Sequence, residues 1–96
     1  MISKTEILKK ITEHKKSLED KFGVIEIAIF GSYARESATE NSDIDVMVQL
    51  REPLGWSFFD LTYYLEDLLG KKVDLLTDEV KTQRFWKYIK NDIIYV

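Results

Sequence analysis

The chain has 96 residues, 45% of them apolar and 32% charged, the balance of one soluble globular domain rather than of a disordered or fibrous protein. Fourteen basic against seventeen acidic side chains leave a net charge of -3, so there is no broad positive field to hold a nucleic-acid backbone. Cysteine is absent and His14 is the lone histidine, which excludes disulfides and thiolate or multi-histidine zinc sites; any metal must be held by oxygen.

The opening segment MISKTEILKK lacks an apolar signal-like region, and no stretch approaches the roughly 20 apolar residues of a membrane span, so a cytoplasmic location is expected. Ser3 and Glu6 have capping-box spacing, and Ile7, Leu8, Ile11, Leu18 and Phe22 recur at mostly helical intervals, predicting a first helix to about Lys21. Gly23 is a natural left-handed stop. VIEIAIF, 24–30, is β-branched and reads as a buried strand ending at Gly31. SYARE forms a short helical turn, 37–42 a polar loop, and DIDVMVQL, 43–50, a second strand.

Pro53 and Gly55 punctuate the next connection. From Ser57 to Leu69 the residues Phe58, Leu61, Leu65, Leu68 and Leu69 form the apolar stripe of a helix capped by Gly70. KVDLLT, 72–77, predicts a third strand, 80–90 a helix with Phe85 and Ile89 inward, and DIIYV a short terminal strand. No repeat or linker interrupts the pattern, so one domain over 1–96 of α/β (α+β) class is expected.

The segment GSYARESATENSDID, 31–45, carries the chemistry. Strand alternation points Asp43 and Asp45 to one side and Ile44, Val46 and Val48 to the other. Two neighbouring carboxylates repel unless a cation is shared. If the third strand lies beside the second, Asp74 joins them, and such an oxygen set suits Mg²⁺, which takes few protein ligands and completes its shell with water and phosphate oxygens. Gly31 permits close backbone approach, Ser32 offers a hydroxyl and an amide, and a helix starting there turns N–H groups towards an anion. A glycine-serine step or a DxD alone is more often a turn or a strand edge; the combination, each half beside an apolar strand, makes a site for phosphates on one side and metal on the other.

In these residues the chain resembles the nucleotidyltransferase superfamily related to DNA polymerase β, whose pattern is G-S, a spacer, D-x-D and a third strand aspartate. GSYARESATENSDIDVMV is similar to the G-S-x-A-R and S-D-x-D segments of its smallest branch, the minimal nucleotidyltransferase (MNT) proteins, which include antitoxins of HEPN/MNT toxin-antitoxin pairs. The resemblance implies a mixed sheet flanked by helices, with Asp43, Asp45 and Asp74 binding Mg²⁺, two ions in the family, and acting in catalysis. It also implies Gly31 and Ser32 gripping the triphosphate of ATP, with Arg35 reaching phosphate or bracing the loop.

By that resemblance AMP passes from ATP to a hydroxyl, a tyrosine, of a partner HEPN ribonuclease, which is thereby blocked, and pyrophosphate leaves. The short chain has no further domain to hold an acceptor, so the partner must position itself. Two other readings stand beside this one: an antitoxin that neutralises by binding alone, and a transferase acting on a small-molecule or RNA hydroxyl. Neither direct nucleic-acid binding nor a membrane is expected. One departure is Glu36-Ser37 after the arginine, where relatives commonly have glycine.

Plainer roles are assigned elsewhere. Arg35 could bridge to Glu36 or Glu40. Trp56, Phe58, Phe59, Tyr63 and Tyr64 are read mainly as core, Lys81, Arg84 and Lys87 as a solvated helix face, and His14 as exposed.

Overall fold

In the computed structural model, which describes residues 1–96, Ser3 accepts a hydrogen bond from the Glu6 amide while the Glu6 carboxylate accepts one from the Ser3 amide. This reciprocal cap starts α1, Lys4–Phe22, and Gly23 ends it at φ 70°. Three strands follow in alternation with helices: β1 (Val24–Phe30), a one-turn α2 (Gly31–Ala34), β2 (Ile44–Leu50), α3 (Ser57–Leu69, closed by left-handed Gly70) and β3 (Val73–Thr77). A 3₁₀ turn at Asp78–Thr82, the one-turn α4 (Trp86–Ile89) and β4 (Ile94–Tyr95) complete the chain.

The four strands lie in the order β3-β2-β1-β4. β1 is antiparallel to both β2 and β4, whereas β2 and β3 run parallel, as the α3 crossover between them requires. One face, with Ile27, Ile29, Ile44, Val46, Val48, Val73 and Leu75, packs against Ile7, Ile11 and Leu18 of α1 and Leu61, Leu65 and Leu69 of α3. On the other face a smaller cluster of Ala28, Phe30, Met47 and Val80 is covered by Leu76, Trp86, Ile89 and Ile93. That second cover comes from the C-terminal segment. No helix is long and apolar enough to cross a membrane.

The predicted helix over 80–90 is broken. Gln83 is extended (φ -91°, ψ 156°), dividing the segment into the 3₁₀ turn and α4. The inward aromatic is Trp86, while Phe85, expected inside, is 44% exposed. A continuous helix would need one apolar stripe, but this segment must follow the sheet surface from β3 across to β4, and a kinked path does so. His14 is half-buried rather than exposed: its Nδ1 lies 2.8 Å from the Lys10 carbonyl oxygen and its ring meets the edge of Tyr64.

Glu36 adopts φ 62°, the left-handed region that glycine enters without penalty. This is the position where the family pattern favours glycine. A side chain there costs about 1 kcal/mol, and the exposed Lys4–Glu36 pair, 3.1 Å long, returns part of it. Glu36→Gly should therefore raise stability by about 0.5 kcal/mol, read as a higher denaturant midpoint at unchanged m-value; a lower midpoint would show that the Lys4 contact outweighs the backbone strain.

Candidate active site

The site stands where β1 ends and β2 and β3 begin. In the parallel pair Asp45 is the register partner of Asp74, and in the antiparallel pair it faces Phe30, the residue before Gly31. Because Ile44, Val46, Val73 and Leu75 point into the main core, alternation turns Asp45 and Asp74 together onto the other face, beyond the edge of its small apolar cluster. Asp43 lies just before β2 and is exposed, as is Asp74; Asp45 is half-buried.

Two side-chain tethers fix this end of the sheet. The Glu66 carboxylate of α3 accepts the Val73 amide at 3.0 Å, and Lys71 donates to the Glu40 carbonyl at 2.6 Å, joining the polar loop to the start of β3.

Gly31 takes φ 72°, and a Cβ built on it would overlap Oδ2 of Asp45 and lie 3.1 Å from its Cγ. The missing side chain is thus the space that the Asp45 carboxylate fills. Burial pushes the Asp45 carboxyl up to about 6, with Asp74 and Asp43 adding to the rise and Arg35 opposing it. Asp45 thus feels both other acids and the guanidinium.

Ser32 is half-buried and its hydroxyl makes no hydrogen bond within the protein, while its carbonyl accepts the Ser37 amide at 2.8 Å and closes the turn. With only four residues, α2 is too short for a useful macrodipole; what it offers an anion is local amides and this hydroxyl.

Arg35 pairs with neither Glu36 nor Glu40. Its Nη1 donates to Oδ2 of Asp92 at 3.0 Å, across 57 residues of sequence. Nothing in the local sequence signals that partner. Of the five aromatics read mainly as core, Phe58 and Tyr64 pack against it, whereas Trp56, Phe59 and Tyr63 face solvent and Trp56 stacks on Phe59 with centroids 6.0 Å apart. Phe59 and Tyr63 belong to α3 and Trp56 immediately precedes it, on the opposite sheet face from the acids. Lys81, Arg84 and Lys87 are exposed as read, and the Lys81 Nζ lies over the rings of Trp86 and Tyr95, 5.9 and 5.7 Å from their centroids.

The acids do not close into a ready-made cage, since no three carboxylate or histidine side chains are gathered tightly enough to enclose an ion alone. An open row of oxygen donors at the end of a strand pair, beside a glycine turn, is what a metal brought in with a triphosphate requires. The model for the nucleotidyltransferase domain matches residues 11–96, spanning the glycine turn and all three acids.

The chain belongs to the nucleotidyltransferase domain family.

This nucleotidyltransferase is 41% identical to protein adenylyltransferase MntA of Thermococcus cleftensis over 97 residues, covering 100% of this chain and 98% of that one. Among solved structures it is similar to one provisionally named a minimal nucleotidyltransferase, with 30% identity, a TM-score of 0.76 and coverage of 97% of this chain and 95% of the other. It also resembles a chain in the structure of a tri-AMPylated Shewanella oneidensis HEPN toxin in complex with MNT antitoxin. There the identity is 25% and the TM-score 0.54, over 76% of this chain and 56% of that one. The mixed four-stranded sheet with its helices is the polymerase β-like nucleotidyltransferase fold.

Proposed function

We propose that this nucleotidyltransferase is an antitoxin that transfers AMP from ATP, with Mg²⁺, to a hydroxyl of a partner HEPN ribonuclease toxin, a tyrosine by the family resemblance, and releases pyrophosphate. The observation that carries the reading is the Asp45 carboxylate, wedged into the space left by Gly31 and beside Asp74 in register. The relatives named as a protein adenylyltransferase and as an MNT antitoxin bound to an AMPylated toxin support the donor and the acceptor class.

The residues present fit magnesium: burial raises the Asp45 carboxyl first, the charges of Asp74 and Asp43 raise it further, and a cation bound there would favour the ionised form against all three. Asp43 and Asp45 would hold the metal, with Asp74 completing the set. When bound, the metal supplies charge stabilisation at the attacking and leaving oxygens of an in-line displacement at the α-phosphorus. The Gly31 turn admits the phosphate chain close to the backbone, and Ser32 donates its free hydroxyl to a phosphate oxygen. Asp74, the more exposed member of the register pair, accepts the proton of the incoming hydroxyl. The acceptor loses a proton, gains AMP at its oxygen, and the bond from the α-phosphorus to the pyrophosphate oxygen breaks.

The test is to incubate the protein with α-labelled ATP, Mg²⁺ and a purified HEPN-family ribonuclease from the same genome. Label on the toxin and loss of its ribonuclease activity are expected, both abolished by Asp43→Asn. A toxin that is bound and silenced without label, equally by wild type and Asp43→Asn, would overturn the transferase reading in favour of occlusion.

A further inference from the structure

The C-terminal turn is joined to the glycine-serine motif through one side chain. Asp92 lies between Ile89 and Ile93, both of which pack into the apolar cluster on the acid-bearing face, and its amide donates to the Ile89 carbonyl at 2.9 Å. Its side chain is 24% exposed, against 50% for Arg35. Asp92 is therefore the fixed end of the pair. Arg35 is the looser end: it caps a four-residue helix and precedes the strained Glu36.

Left to itself, an arginine there would sample many rotamers. Bonded through Nη1, it is held at the end of the one-turn helix that begins at Gly31, the residue against which the Asp45 carboxylate sits, and its charge opposes the rise of Asp45. Its Nη2 and Nε make no hydrogen bond within the protein, and a guanidinium can hold a carboxylate with one nitrogen while offering the others to a phosphate.

We infer that Asp92 is a positioning residue for nucleotide binding: it clamps the Arg35 guanidinium at the mouth of the acid site so that the unused nitrogens face the triphosphate. The inference rests on the nucleotidyltransferase reading. It gives the C-terminal turn, whose sequence shows no motif, a part in holding the substrate.

The test is equilibrium binding of a fluorescent, non-hydrolysable ATP analogue with Mg²⁺ in the absence of acceptor, so that chemistry is not the readout. Asp92→Asn preserves shape and removes charge; it should weaken binding about five- to tenfold, the scale of one charge-assisted contact. Arg35→Ala should weaken it at least as much, and the double variant no further, because Asp92 acts only through Arg35. Asp92→Glu should recover part of the affinity. If Asp92→Asn binds like wild type, or if its loss adds in full to that of Arg35→Ala, the inference is overturned. A brace of the fold alone would lower the melting temperature and leave affinity unchanged. If the wild-type protein binds no nucleotide, the failure lies with the nucleotidyltransferase reading instead.

Discussion

Gly31→Ala is expected to reduce AMP transfer at least a hundredfold while the protein remains folded. Two costs meet at this position. The backbone cost is that of placing a Cβ at φ 72°, about 1 kcal/mol. The second is steric, since the new methyl would occupy the place of Asp45 Oδ2, and that carboxylate must swing away from Asp74. Displacing a ligand by about 1 Å is sufficient for a loss of that size, because the reacting groups no longer share one point.

Gly70→Ala separates the two costs. Gly70 has φ 68° but nothing within 4 Å of its would-be Cβ, so the variant should lose similar stability and keep full activity. Melting curves and transfer rates on both variants make the comparison. Equal activity in the two would show that the Gly31–Asp45 contact has no part in the reaction.

Most of the scaffold is legible because it rests on local rules. The Ser3/Glu6 cap, the glycine stops at 23 and 70 and the strand alternation act within a few residues, and each is found where the sequence places it. The adjacency of Asp45 and Asp74 needed one further step, that two strands joined by a helix lie parallel and side by side. The C-terminal quarter obeys no such rule. Its path is set by the need to cover Phe30 and Met47 and still reach β4, so the break at Gln83, the exchange of Phe85 for Trp86 and the pairing of Asp92 with Arg35 are tertiary outcomes. Composition likewise does not say which aromatics of α3 face the core, because Trp56, Phe59 and Tyr63 are as apolar as their buried neighbours.

Asp45→Asn should abolish transfer and at the same time stabilise the protein at neutral pH. The Asp45 carboxyl is raised from 3.8 to about 6 in the folded chain, first by burial and then by Asp74 and Asp43. The folded state therefore holds this proton more tightly than the unfolded state does. Its stabilising effect is complete below pH 3.8 and is lost as the pH rises through about 6, leaving a deficit at pH 7. Because Asp45 is only half-buried, solvent screening reduces that deficit to about 1 kcal/mol.

The amide carries no charge at any of these pH values, so Asp45→Asn should exceed wild type by about this amount at pH 7, and the gap should close near pH 4. Denaturant titrations at several pH values measure it. Magnesium with ATP should narrow the difference from the other side, stabilising wild type by neutralising the acids and leaving Asp45→Asn unmoved. A variant less stable than wild type at pH 7 would mean that the carboxylate is already satisfied within the fold. A carboxylate that weakens the folded state, seated in the space a glycine leaves beside charged neighbours, is a cost the fold does not need, and the proposed cation site gives it a use.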